Sequence, residues 1–215
     1  VAALGHFENG QSITEETNWI PSKKVSAYSE SKFFSETEIW RGMEEGLDAV
    51  IVNPSIILGP ANWENGSAKM FKTVWEGIKF YTRGVTGFID VKDVVKAMIL
   101  LMEESNFETA KNNRFLLSAE NISYGDVFFQ IADALEKPRP AFYANSFLLG
   151  IVWRANRFIS FLTGKSPLIT RETAANAQRI RKFDGSKITR LFGFQYQPVA
   201  ESIQQTAGIF KLEHS

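Results

Sequence analysis

The chain has 215 residues, its 24 lysines and arginines balance 24 aspartates and glutamates, 44% of it is hydrophobic, and it has no cysteine. This is a soluble globular composition, large enough for one domain or a domain plus a subdomain. Zero net charge gives no reason to expect nucleic acid or an anionic membrane as partner, the missing cysteine excludes disulfides and thiolate metal sites, and His6 and His214 lack metal-ligand spacing.

Val1 to Leu4 reads as the tail of a buried strand, and no secretory signal opens the chain, so a cytoplasmic location is expected. Glu8 to Ser26 is polar and reads as a long surface loop. Ser26 to Glu45 reads as a helix with Tyr28, Phe33, Ile39, Trp40 and Met43 as its apolar stripe, ended by Gly46. Ala49 to Val52 is a continuous apolar run, expected as a parallel strand buried on both faces and ending at Asn53-Pro54.

Ser67 to Lys79 follows as a helix. Gly87 to Asp90 is a short strand or turn. Val91 to Glu104 is a helix expected to face inward with Val94, Val95, Met98, Ile99 and Met102. Phe115 to Leu117 is a strand, and Ser123 to Leu135 a helix with Ser123 as N-cap and Asp126 three residues on. Beyond Pro138 and Pro140 the chain reads as mostly helical, over 145–162, 170–177, 184–191 and 199–210. The longest apolar candidate, Asn145 to Gly164, is interrupted by Arg154 and Arg157 and falls short of the ~20 apolar residues of a membrane span. It reads as a buried or groove-lining helix. Leu212-Glu213-His214 looks like a vector scar at 212–215. Strands alternating with helices indicate an α/β fold.

One short motif carries chemistry: Tyr28-Ser29-Glu30-Ser31-Lys32. Residues four apart on a helix share a face, so an ammonium lies close to a phenol. A nearby positive charge favours the phenolate and suits the tyrosine to acid/base work. By itself the motif is weak, because a surface tyrosine packed on a lysine stem has the same spacing.

The surrounding segments, in order, resemble the extended short-chain dehydrogenase/reductase family, also called the NAD-dependent epimerase/dehydratase family. They are Val1-Ala2-Ala3-Leu4-Gly5, Tyr28 to Lys32, Val52-Asn53-Pro54-Ser55 with Leu58-Gly59-Pro60, Gly87 to Val94, and Lys182 to Lys187 with Leu191-Phe192-Gly193-Phe194. The resemblance implies the C-terminal part of a Rossmann-like doubly wound parallel sheet (1–137) with a mostly helical substrate-binding subdomain (138–211). It implies Tyr28 as proton donor and acceptor, and Lys32 as its partner and as a ligand of the nicotinamide ribose. It brings the backbone of Pro54 and Ser55 close to the nicotinamide amide of NAD or NADP, although an ordinary strand exit reads the same way. It gives Asn53 a substrate contact, although Asn53 reads equally well as a strand-ending turn residue before a proline. Asp90 and Asp93 read as helix-start residues rather than catalysts.

The chain departs from the pattern in two ways. No G-x-G-x-x-G fingerprint occurs, and the position of the family's catalytic serine falls just before Val1. The chain thus reads as the C-terminal two-thirds of such an enzyme, inactive by itself. The family's 4,6-dehydratase branch has an acidic pair where this chain has Val1 and Ala2, and its sugar epimerases commonly have tyrosine where this chain has Leu4. The segments look nearer the branch of dihydroflavonol reductase and 3β-hydroxysteroid dehydrogenase. The expected reaction is interconversion of a ketone or aldehyde with an alcohol on a small-molecule substrate. A nucleotide-sugar epimerase and a dinucleotide-sensing binding protein are the alternatives. The resemblance also implies a homodimer through the tyrosine helix.

Overall fold

The computed structural model describes residues 1–4, 12–20, 26–145 and 177–214. The expected helices over 145–162 and 170–177 therefore lie almost wholly outside the described residues.

Strand β2 (Val50–Pro54) runs parallel to β6 (Asn113–Leu117). At Ser55 the chain changes partner, and β3 (Ile56–Leu58) continues parallel to β5 (Val85–Asp90), which pairs antiparallel with β7 (Glu120–Ser123). Two short parallel ribbons complete the described strands: β1 (Ser12–Ile13) with β9 (Lys182–Phe183), and β4 (Phe80–Tyr81) with β8 (Phe142–Tyr143). The parallel pairs are joined through helices α1 (Ala27–Glu44), α2 (Lys69–Trp75), α3 (Val91–Met102), α4 (Glu104–Ala110) and α5 (Tyr124–Ala134). The chain closes with α6 (Ser186–Phe192) and α7 (Val199–His214).

Both faces of the central strands are covered, as parallel strands require. Neighbouring residues of β5 point to opposite sides. Phe88 joins Phe71, Ile131, Ile203 and Phe210 beneath α2, α5 and α7. Ile89 joins Val94, Leu101, Phe115 and Ile188 beneath α3 and α6. Gly87 is required by close approach: a Cβ there would lie 2.3 Å from Ser118 Oγ and 2.9 Å from Ser55 Cβ.

Several helix boundaries follow the local chemistry. Ser26 caps α1 by accepting from Ser29 N–H, and Ser123 caps α5 by accepting from Asp126 N–H. Asp90 caps α3, its second oxygen accepting from Ser202 Oγ–H at 2.5 Å, and Asp93 accepts the Gln197 N–H at 2.7 Å. These two aspartates tie α3 to the chain around α7, as helix-start residues rather than catalysts.

Four expectations need correction. Ala2–Leu4 is a single 3-10 turn, closed by Leu4 N–H on Val1 C=O, and not a strand, although Ala3 and Leu4 are buried. A short apolar run reports burial and not the period of the backbone. Within the expected loop, Ser12–Ile13 is a strand beside Lys182–Phe183. In β2, Val50, Ile51 and Val52 are only half-buried, because among the described residues this strand has one neighbour, β6.

The fourth correction concerns rotation about α3. Its inward residues are Asp93, Val94, Ala97 and Leu101, while Val95, Met98, Ile99 and Met102 are 49–66% exposed. The helix is apolar on both sides, so periodicity leaves the rotation open. The bonds of Asp90 and Asp93 set it.

Candidate active site

Tyr28 and Lys32 stand on the first two turns of α1, and the Lys32 ammonium lies 5.8 Å from the Tyr28 ring centre. The tyrosine is 65% exposed and the lysine is exposed. Among the described residues, neither the phenol oxygen nor the ammonium has a hydrogen-bond partner. Tyr124 and Tyr196 differ: burial pushes both phenols above their usual range, and Tyr196 donates to Gly185 C=O. Those two are structural residues.

What holds α1 in place is not the expected apolar stripe. Phe33, Trp40 and Met43 are half-buried, and Ile39 is 40% exposed. The buried residue of α1 is Glu36, one turn beyond Lys32. Its Oε2 accepts from Asn53 Nδ2 at 3.0 Å, and its Oε1 accepts from Arg114 at 3.0 Å and from Trp40 Nε1 at 3.2 Å. Arg114, on β6, also donates to the Glu15 and Thr17 carbonyls at 2.6 and 3.1 Å. The buried Glu15 carboxylate accepts the Leu116 N–H at 2.9 Å. Trp19 stacks on Phe33 with ring centres 4.4 Å apart, laying segment 12–20 against the helix.

Sequence reasoning missed Glu36, Arg114 and Glu15. One signal was available: Glu36 continues the four-residue spacing of Tyr28 and Lys32. Arg114 and Glu15 lie 78 and 21 residues from Glu36 in sequence, and nothing local marks them.

Asn53 is buried at the end of β2, with its amide nitrogen held by Glu36. At the next two residues, Pro54 C=O accepts from the Val1 nitrogen at 2.8 Å and Ser55 N–H donates to Leu117 C=O at 2.8 Å. Those main-chain groups are thus already bonded. The Ser55 hydroxyl is buried without a partner, as is that of Ser118.

The C-terminal signature has a structural explanation. Asn121 exchanges two bonds with the Phe183 backbone, at 2.8 and 2.9 Å. A Cβ at Gly185 would strike the Ser118 backbone at 2.7 Å. Lys187 donates to Asn113 Oδ1 and to the Arg114 carbonyl. The segment thereby locks onto β6, the strand that carries Arg114.

A model of the family described as NAD dependent epimerase/dehydratase matches residues 2–114, more than half of the chain. The chain belongs to this family. It is 24% identical, over 98% of its length and 62% of the relative's, to a putative dihydroflavonol 4-reductase of Synechocystis sp.. It is 26% identical, over 96% of its length and 59% of the relative's, to an NADPH-dependent methylglyoxal reductase of Saccharomyces cerevisiae. It superposes on a nucleoside-diphosphate-sugar epimerase from Pseudomonas aeruginosa with a TM-score of 0.76 at 20% identity, covering 99% of this chain and 64% of that one. The fold is Rossmann-like, and the chain spans about three-fifths of the length of these relatives. No helix among the described residues is long and apolar enough to cross a membrane.

The family's cofactor is NAD(P). The residues present fit its nicotinamide-ribose end: an ammonium and a phenol without partners among the described residues, and an unpartnered hydroxyl on Ser55. The glycine-rich turn that cradles a pyrophosphate does not occur in this sequence.

Proposed function

We propose that the chain carries the proton-transfer half of an NAD(P)-dependent reductase that interconverts a ketone or aldehyde with an alcohol. The observation that carries this reading is the Tyr28–Lys32 pair, exposed on a helix anchored by Glu36 to the end of β2. Parallel α/β sheets bind ligands outside the carboxyl ends of their strands, and Asn53 and Ser55 stand at that end.

Tyr28 gives its hydroxyl proton to the carbonyl oxygen as the carbonyl carbon is reduced, and takes it back in the reverse direction. Lys32 sets a positive charge beside the ring whose oxygen becomes anionic, and reaches the ribose. Pro54 and Ser55 lie beside the nicotinamide, where Ser55 has a hydroxyl without a partner. Bound NAD(P)H supplies the hydride. Asn53 meets the small-molecule substrate.

The reductase names of the sequence relatives support this branch over the epimerase reading, as does Leu4, where sugar epimerases commonly have tyrosine. Intact Tyr28 and Lys32 speak against a dinucleotide sensor, which needs no proton-transfer pair. Phe34 and Ile39 are exposed on α1, which supports a homodimer through this helix. Oxidation of NADH and NADPH by the full-length protein across ketones, aldehydes and nucleotide sugars tests the reading. Turnover of nucleotide sugars alone would replace it with the epimerase.

A further inference from the structure

We infer that Glu36 is the positioning residue of the site, a role that rests on the reductase reading of Tyr28 and Lys32. Glu36 is the buried residue of a helix that otherwise offers its neighbours half-exposed side chains. Burying a carboxylate is unfavourable unless it is paired and hydrogen-bonded. Here both oxygens are used. Arg114 and Trp40 donate to one, and Asn53 donates to the other.

The first consequence of this geometry is mechanical. Arg114 belongs to β6 and Asn53 to β2, so one carboxylate fixes α1 against two adjacent strands. The helix can neither slide nor rotate without breaking a partly buried ion pair. Tyr28 and Lys32, two turns and one turn before Glu36 on α1, are thereby fixed relative to β2 and β6.

The second consequence is chemical. A carboxylate can only accept, whereas an amide side chain has one donating and one accepting end. Glu36 therefore commits the Asn53 nitrogen and leaves its Oδ1 as the outward group. Asn53 presents an acceptor to the site, which suits a hydroxyl or N–H donor on the bound molecule.

The test is Glu36→Gln in the full-length protein, alone and with Asn53→Asp. The introduced glutamine keeps the length of the side chain but lets the Asn53 amide turn over. The double variant restores a single bond direction, from the glutamine amide on α1 to a carboxylate on β2 that again presents an acceptor. Misplacement by about 1 Å can cost ~10²-fold in rate. Glu36→Gln is expected to lower kcat at least about tenfold, with NADPH affinity changed less than about threefold. The added Asn53→Asp is expected to recover part of kcat. The folded fraction is measured by circular dichroism at the assay temperature.

Loss of activity that tracks the folded fraction, with no recovery in the double variant, would overturn the proposal and leave Glu36 a stabilising residue. Unchanged kcat in Glu36→Gln, where Tyr28→Phe abolishes turnover, would overturn it while sparing the reductase reading. Unaffected turnover in Tyr28→Phe would overturn both.

Discussion

The side-chain amide of Asn53 donates to the buried carboxylate of Glu36 across 3.0 Å, joining the end of strand β2 to the helix that carries Tyr28 and Lys32. The same carboxylate pairs with Arg114, whose side chain is 20% exposed against 8% for Glu36. Removing one member of a buried pair leaves the other charge uncompensated. Arg114→Met is expected to destabilise the fold by about 3 kcal/mol in denaturant unfolding. Arg41→Ala, whose partners Glu38 and Glu45 are exposed, is expected to change it by less than ~1 kcal/mol. Equal effects would show that the Glu36–Arg114 contact is as weak as a surface pair.

Gly87 gives a second prediction. Gly87→Ala places a methyl group against Ser118 Oγ, Phe183 and Ser55 Cβ, all within 3.0 Å. Overpacking of this kind costs typically ~1–3 kcal/mol. Gly46→Ala also loses stability, but through its φ of +101° alone, since a Cβ there meets no atom within 4 Å. Thermal unfolding of the two variants separates them, Gly87→Ala being the worse.

Much of this was legible in the sequence, where local chemistry decides local structure. Ser26 and Ser123 marked the starts of α1 and α5 because a side-chain oxygen there satisfies an otherwise unpaired N–H. The Tyr28–Lys32 pairing followed from helix period alone. The anchoring of α1 was not legible, since its partners come from β2, β6 and the segment 12–20. A buried glutamate looks like any surface glutamate until Arg114 and Asn53 are brought to it. Rotation about α3 was misread for a related reason: two apolar sides are equivalent until Ser202 and Gln197 arrive from distant chain.

That rotation yields a third prediction. Leu101 is buried and Ile99 is 59% exposed on the opposite side of α3. Leu101→Ala is expected to cost ~2–5 kcal/mol, and Ile99→Lys no more than about 0.5 kcal/mol. Urea unfolding of the two variants checks the register. A large loss at Ile99 with little at Leu101 would restore the rotation expected from sequence.

Cofactor affinity gives a fourth. On the proposed reading, a polypeptide of these 215 residues meets the nicotinamide end with Lys32 and Ser55 and has no G-x-G-x-x-G turn for the pyrophosphate. Calorimetric titration with NADH and NADPH is expected to detect no binding at micromolar concentration. Micromolar affinity would show that the cofactor site has been misplaced.

Turnover by Tyr28→Phe in the full-length protein, with NADH and NADPH binding measured on the same sample, decides whether Tyr28 is the proton donor. Tyr28 is exposed and has no hydrogen-bond partner among the described residues, so loss of its hydroxyl should leave the fold intact. A positioned acid or base contributes ~10²–10⁴-fold. A fall of at least ~10²-fold in kcat for carbonyl reduction is expected, with cofactor affinity retained. Turnover within a few-fold of the unmodified protein would contradict it.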